Sequence, residues 1–549
     1  MTKTKNKYRI GLLLVIISLL ILAFKTADDN FEISKNIEIF TSVYKEVNLQ
    51  YVDETRSGEL MRKSIDAMLG SLDPYTVFYS EAQAEEALTQ HTGEYGGLGV
   101  AVEVIDNYIV LIDIFDGYAA QKAGLKIGDK LIASGIKSLI GKTIEELSPI
   151  MKGAAGTSLS LTIERPGKGQ FIKTLTREEI KVKNVPYYGK AKNNVGYIYL
   201  ANFMQDASKE VQIALANLRK EGCTSFILDL RNNPGGFLME AVNIVNLFIP
   251  KNELVVYTRG RYENNIVNYN TTFNPVEPTA PLVILINGRS ASASEIVSGT
   301  LQDLDRAVVL GENSFGKGLV QNTKNLPYRT QIKITTAKYY TPSGRCIQSL
   351  DYSHRNADGT VGKVADSLRT AFKTKKGRTV YDGGGIKPDK PLPANTAHDL
   401  LKLLETKNIL FEFSVNYVNK LAESEIIDET FNLPTKAMED FYSFVNLNIN
   451  KIQTPVDAQI LTLKNSFINS TENTANLKAL ADLQSNIAVQ KIMQIKKEQA
   501  LISQRLSLEI IRIYGLQPLF NKAQFSKDEL VVDAIKTLES ADLYQQILK

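Results

Sequence analysis

A chain of 549 residues is too long for one compact domain, and at roughly 100–200 residues per domain it makes several. Its 44% hydrophobic and 23% charged residues are those of a folded globular protein, which excludes a disordered chain and a polytopic membrane protein. A net charge of +4 on 64 basic and 60 acidic groups gives no drive towards nucleic acid, and two cysteines exclude a disulfide framework and a four-thiolate zinc site. Three histidines, His91, His354 and His398, are the whole supply of imidazole bases if the chain is a hydrolase.

In chain order, Lys3, Lys5, Lys7 and Arg9 precede an apolar run over residues 10–24 that stops at Lys25. A basic stretch followed by a short apolar one is an export pattern, although spanning a bilayer takes about 20 residues. No small-x-small site precedes Lys25, so residues 1–28 read as an uncleaved signal anchor in preference to a cleaved signal peptide. The rest of the chain is then exported. Residues 29–91 carry apolar positions at helical spacing (Ile37, Phe40, Val43, Tyr44, Val47) and the turn Ser71-Leu72-Asp73-Pro74-Tyr75. Over 92–182 short β runs alternate with glycines, with helical stretches at 118–124 and 143–151, so this part reads as a compact β-rich module.

From 183 to 394 the pattern is strand–helix–strand. Strands are expected at 197–200, 226–230, 281–286 and 307–310, and helices at 208–220 and 293–304. Continuous apolar strands alternating with helices predict an α/β core covered on both faces. A polar stretch at about 351–380 reads as an insertion. Residues 395–549 are helical throughout, broken at Pro455 and Pro518. Their apolar stripes suit either a partner (a second copy or an adaptor) or a bundle that covers its own core.

Three loops carry candidate chemistry. Gly311-Glu312-Asn313-Ser314-Phe315-Gly316-Lys317-Gly318 nearly matches a phosphate-binding loop, but Gly318 stands where the metal-holding hydroxyl belongs and the next residues look extended. Ser290-Ala291-Ser292-Ala293-Ser294-Glu295 follows an apolar strand through a tight turn, the local setting of a nucleophile elbow, although three serines also simply cap a helix. Asp229-Leu230-Arg231-Asn232-Asn233-Pro234-Gly235-Gly236 ends another apolar strand, where glycine N–H groups can line an oxyanion hole or merely make a turn. None of the histidines sits at a strand end of the core. Lys317 does, just after the next strand, and serine–lysine pairs are a known variant of the triad.

With these loops, the chain resembles the C-terminal processing peptidases, or tail-specific proteases. The likeness runs through Ser71-Leu72-Asp73-Pro74-Tyr75, Tyr95-Gly96-Gly97-Leu98-Gly99, Gly128-Asp129-Lys130-Leu131, the three loops above, Tyr340-Thr341-Pro342-Ser343-Gly344-Arg345 and Gly385-Ile386-Lys387-Pro388-Asp389, in consistent order over about residues 35–390. The resemblance implies a core similar to the crotonase and caseinolytic protease folds, with a PDZ domain inserted before it and an all-α C-terminal region. It makes Ser292 the nucleophile, Lys317 the general base and Gln321 the residue that orients the lysine. The oxyanion hole would be the N–H of Ala293 with that of Gly235 or Gly236. Gly97, Leu98, Gly99 and Val100 would form the loop that binds a substrate's terminal carboxylate while the peptide adds a strand beside it. Neither a metal nor a cofactor is called for. The implied protein is an envelope serine endopeptidase on the periplasmic side of the inner membrane, acting on the C-terminal tails of exported proteins. The alternative class is a PDZ scaffold without catalysis. Acyl-CoA chemistry on a crotonase-like core lacks an adenine-binding signature and conflicts with export.

Overall fold

The computed structural model describes residues 31–84, 93–262, 265–356, 359–391, 398–422, 424–467 and 474–549. The candidate anchor at 1–28 lies outside them, and no helix among the described residues is long and apolar enough to cross a membrane. Two units emerge, one of residues up to Glu81 with Gln321–Thr335, the other of Ala82–Val320 with Thr336–Lys549.

In the first unit a helix over 31–50 and the helix Ser57–Gly70 lead to the strand Val77–Tyr79. That strand pairs antiparallel with residues 331–333, Val77 facing Lys333. Between helix and strand lies the turn read from Asp73 and Pro74. Asp73 is buried, and its carboxylate accepts from the N–H of Tyr75 and Thr76 and from the Thr76 hydroxyl. An aspartate that bonds its own backbone two and three residues on is a turn with its mechanism built in.

In the second unit, the β-rich module is a sheet in the order Val100–Ile105, Tyr108–Ile114, Lys130–Ser134, Ser158–Arg165, Gly169–Thr176. Ile109, Leu111, Leu131, Leu161 and Ile163 form its core. The short helix Ala119–Lys122 and the helix Ile144–Met151 complete it, the latter opened by a capping box between Thr143 and Glu146.

The second sheet runs Tyr187–Lys192, Val195–Tyr199, Ser225–Asp229, Leu282–Ile286, Val308–Gly311, Lys390–Pro391, parallel after its first, antiparallel pair. Its central strands are buried on both faces, which is why they read as unbroken apolar runs. Phe226, Leu228, Leu282, Ile284 and Val309 face the helices Ala207–Lys220, Leu238–Asn246 and Ala293–Asp303. Ile227, Val283, Leu285, Val308 and Leu310 face the other way. The cover on that second face comes from the end of the chain: Leu530, Val531, Ala534, Ile535 and Leu538 of the helix Glu529–Glu539 pack there, and the Tyr544 hydroxyl lies 3.0 Å from the Leu282 nitrogen.

The C-terminal helices therefore do more than cover their own core, which gathers Leu404, Phe413, Phe441, Ile502 and Leu506 among others. Val415 and Ile513 also enter the core of the β-rich module, and Arg512 donates to the carbonyl of Ile112. Pro518 marks a kink, as expected, with Leu516 at φ +56°. Pro455 opens the helix Pro455–Phe467. The polar stretch read as an insertion forms two hairpins, Leu350–Arg355 with Val361–Lys363 and Ala371–Lys373 with Thr379–Tyr381.

Candidate active site

Strand Leu282–Ile286 ends in a turn whose Ser290 hydroxyl donates to the Leu230 carbonyl at 2.8 Å. Two residues later Ser292 stands at φ +54°, ψ −112°, and helix Ala293–Asp303 begins. A non-glycine residue held at such angles is strained, and strain of this kind persists only where the surroundings over-determine it. From Ser290 to Asp303 every residue is buried except Ser292. Ala291 and Ala293 leave its side chain unshielded, and the Ala293 N–H belongs to the helix's first turn, which has no intrahelical acceptors.

Glu295, fully buried, takes four hydrogen bonds. One carboxylate oxygen, Oε2, accepts from the N–H of Ser292 at 2.8 Å and of Lys317 at 2.9 Å. The other accepts from the N–H of Gly316 at 2.7 Å and the Ser314 hydroxyl at 2.5 Å. Burial pushes the Glu295 carboxyl above its ordinary range, against the pull of those donors. Positions 292 and 317 are thus neighbours in space, fastened to a single atom. Tyr339, also buried, adds a second tie: its hydroxyl donates to the Ser292 carbonyl at 3.2 Å and contacts that of Lys317. Lys317 is half-buried between two buried glycines. A Cβ on Gly316 would meet the Ser349 hydroxyl oxygen at 2.3 Å, so the lysine's loop needs glycine there. The strand Leu319–Asn325 follows at once, with no helix to receive a phosphate.

The loop after strand Ser225–Asp229 closes the site. Asn233, fully buried, donates through Nδ2 to the Leu200 carbonyl at 2.7 Å and accepts through Oδ1 from the N–H of Gly235 at 2.9 Å. Its carbonyl receives the Ala291 N–H and the Ser294 hydroxyl. Gly235 has φ +98°, and a Cβ there would lie 2.7 Å from the Ala291 oxygen and 2.8 Å from the Ser292 Cβ. Gly235→Ala is therefore expected to push the loop off the serine. It should lower kcat about 100-fold, the usual cost of misplacing a site by about 1 Å, as steady-state kinetics would read.

The other candidate residues distribute as follows. Gln321 belongs to the first unit, where its side chain donates to the Thr335 hydroxyl at 3.2 Å. In the β-rich module Gly97 ends the strand Glu94–Gly97, Leu98 is buried, Gly99 has φ +76°, and Val100 opens the edge strand Val100–Ile105. A Cβ on Gly99 would lie 2.4 Å from that of Tyr118. His91 lies outside the described residues, and His398 opens a helix of the C-terminal region. His354 is 85% exposed in a hairpin, its Nδ1 2.8 Å from Asp351, whose carboxyl the Ser353 hydroxyl and His354 draw down to about 2.

The roles of Glu295, Tyr339 and Asn233 are not in the motif reading. A serine followed three residues later by glutamate is the capping-box signature and does signal the bond back to Ser292. Nothing local signals the bonds to residues 314–317.

Comparison with known proteins identifies a family. The profile of "Peptidase family S41" matches residues 194–352, and that of "Probable PDZ-protease, C-terminal helical domain" matches residues 400–538. The chain is 36% identical over 340 residues to the carboxy-terminal-processing protease of Bartonella bacilliformis, covering 61% of this chain and 77% of that one. It is 34% identical over 314 residues to a probable CtpA-like serine protease of Staphylococcus aureus (strain MRSA252), covering 57% of this chain and 62%, less than two thirds, of that one. Among solved structures, the photosystem II D1 C-terminal processing protease aligns over 64% of this chain and 92% of its own, with 24% identity and a TM-score of 0.36.

Proposed function

The chain belongs to peptidase family S41, the carboxy-terminal-processing serine peptidases, and on that premise we propose that Ser292 is its nucleophile, Lys317 its general base, and the β-rich module a PDZ domain that admits substrates by their C-termini. The observation that carries the reading is the shared Glu295 oxygen, which holds the backbones of Ser292 and Lys317 together.

The chemistry follows from the parts. Neutral Lys317 takes the proton of the Ser292 hydroxyl as Oγ attacks the scissile carbonyl. The negative charge forming on the carbonyl oxygen is met by the N–H of Ala293 and by one from the glycine pair. Gly235 already gives its N–H to Asn233, so Gly236 is the donor in this reading. The lysine ammonium then protonates the departing amine, leaving an acyl-enzyme on Ser292. Water attacks the ester, giving a proton to Lys317, which passes it to the departing Ser292 Oγ, so that serine and neutral lysine are both restored as the new C-terminal acid leaves. Gln321 lies outside the unit that holds Ser292 and Lys317, and the reading does not depend on it.

Selection by C-terminus is supported by the strand Val100–Ile105, which is an edge strand among the described strands, by the glycine turn before it, and by the helix Ile144–Met151. The parallel sheet with helices on both faces supports kinship with the crotonase and caseinolytic protease cores. The basic and apolar N-terminus supports action at a bacterial envelope, on the periplasmic side, with exported proteins as substrates and the C-terminal helices as a place for an adaptor or second copy.

The test is cleavage of a soluble reporter bearing an apolar C-terminal tail. Wild type is expected to cut it and Ser292→Ala to leave it intact. Amidating the tail's carboxylate removes charge-assisted hydrogen bonds worth about 1.5–3 kcal/mol each, so KM should rise at least about tenfold with kcat within about twofold. Cleavage by Ser292→Ala would sink the nucleophile, and indifference to amidation would sink the PDZ role.

A further inference from the structure

We propose that Asp528, carried by the C-terminal helical region, is a positioning residue for the oxyanion loop, holding it in place through Arg231. The inference deepens the function proposed above and rests on it.

Arg231 is the second residue after strand Ser225–Asp229 and stands immediately before the loop that carries Asn233, Gly235 and Gly236. Its guanidinium is divided between two carboxylates. Nε and Nη2 donate to Asp229 at 3.0 and 2.6 Å, and Nη1 donates to Asp528 at 2.7 Å. Asp229 is almost wholly buried and also accepts from the Arg231 N–H at 2.9 Å and the Tyr197 hydroxyl at 2.8 Å. The Asp229 end of the fork is therefore part of the sheet, whereas the Asp528 end is supplied from 297 positions away along the chain.

Asp528 is not a loose surface acid. Its side chain is 13% exposed, and its Oδ1 caps the helix Glu529–Glu539 by accepting from the N–H of Leu530 and Val531, which leaves Oδ2 for Arg231. Burial alone would raise its pKa, but the charge and hydrogen bond of Arg231 outweigh it and hold the carboxyl below its ordinary value. The helix it caps is the one seated on the sheet's second face through Leu530, Val531 and Ala534. The same segment thus completes the sheet and fixes the start of the catalytic loop. An arginine fork offers its donors in a rigid plane: Asp229 holds its Nε–Nη2 edge, while Asp528 on Nη1, with Gln524 Oε1 3.4 Å from Nη2, holds the far end. Asn232, the next residue, sits at φ +60°, and a pivot of Arg231 would be passed on through it to the glycines.

The test separates cap from clamp. Serine caps a helix about as well as aspartate but is too short to pair with Arg231. Asp528→Ser in the full chain is expected to stay folded by circular dichroism and to lose about 10- to 100-fold in kcat, with KM within about twofold. The rate at which a fluorophosphonate probe labels Ser292 should fall with kcat, because that reaction uses the same oxyanion hole. Asp528→Glu should recover part of both. Tyr544→Phe, which removes a hydrogen bond from the same segment to Leu282, should lower the thermal midpoint and leave kcat and labelling unchanged. If Asp528→Ser does not fold, Asp528→Asn keeps the cap through its one oxygen, turns an NH₂ group instead of an acceptor towards Arg231, and should show the same direction of change. Wild-type kcat and labelling in the folded variant would overturn the proposal, as would a loss confined to KM. A wild-type protein that neither cleaves nor labels would instead refute the function on which the proposal rests.

Discussion

Lys317→Ala is expected to lower kcat by about 10³-fold or more while the protein remains folded. Removing a positioned general base costs about 10²–10⁴-fold. His354 is exposed, paired with Asp351 in a hairpin. The substitution spares the architecture because what Lys317 gives to Glu295 is its backbone N–H. Lys317→Arg should be as poor as alanine, since a guanidinium cannot be deprotonated in a protein and so cannot take the serine's proton. The pH dependence follows with its sign: the base works only without its proton, so kcat/KM should climb with pH along the acidic limb, about tenfold per unit, until the lysine is neutral. A profile flat from acid to alkali would remove Lys317 from the role. So would a Lys317→Ala variant that kept more than about a tenth of wild-type kcat, because a base that contributes so little is not the base.

What was legible in the sequence divides along the range of the forces involved. Strands at 226–230, 281–286 and 307–310 were readable because a strand buried on both faces must be apolar at every position, and the structure places them within a residue or so of those bounds. The three loops were readable as well, since a serine amid small residues or a lysine between glycines shows its steric need locally. Long-range cover left no such trace. The helix Glu529–Glu539 looks like any amphipathic helix, and only its packing shows that its apolar stripe fits the sheet formed by residues 195–311. Asp528 likewise reads as an ordinary N-cap, which it is, and its second bond to Arg231 is invisible in one dimension. The hairpins in the polar stretch after Leu350 are not legible because their strands are three to six residues long and mostly exposed, so they carry little apolar alternation.

Glu295 is where these two ranges meet, and its substitution is expected to damage both fold and activity. Its local bond to Ser292 is a helix-capping interaction, whereas the bonds to Ser314, Gly316 and Lys317 join the nucleophile's helix to the loop of the base. Glu295→Ala would leave four donors, two of them buried and two half-buried, without their acceptor. At about 1–3 kcal/mol for each group left unsatisfied, part of it recovered by rearrangement, the loss should be several kcal/mol, measured by denaturant unfolding. Glu295→Gln is the sharper variant because it keeps the volume. An amide has one oxygen, so it can accept either from the Ser292–Lys317 pair or from the Gly316–Ser314 pair. Only Ser314 can turn its hydroxyl to accept from the new NH₂ group, which favours keeping the oxygen on Ser292 and Lys317 and losing the bond to Gly316. The glutamine variant should therefore fold with stability reduced by about 1–3 kcal/mol and retain more kcat than alanine, yet fall about tenfold or more below wild type as the Gly316–Lys317 turn loosens. If it matched wild type in kcat, the carboxylate would be holding the fold alone, and the spacing of Ser292 and Lys317 would have to be set by the Tyr339 hydroxyl on their two carbonyls.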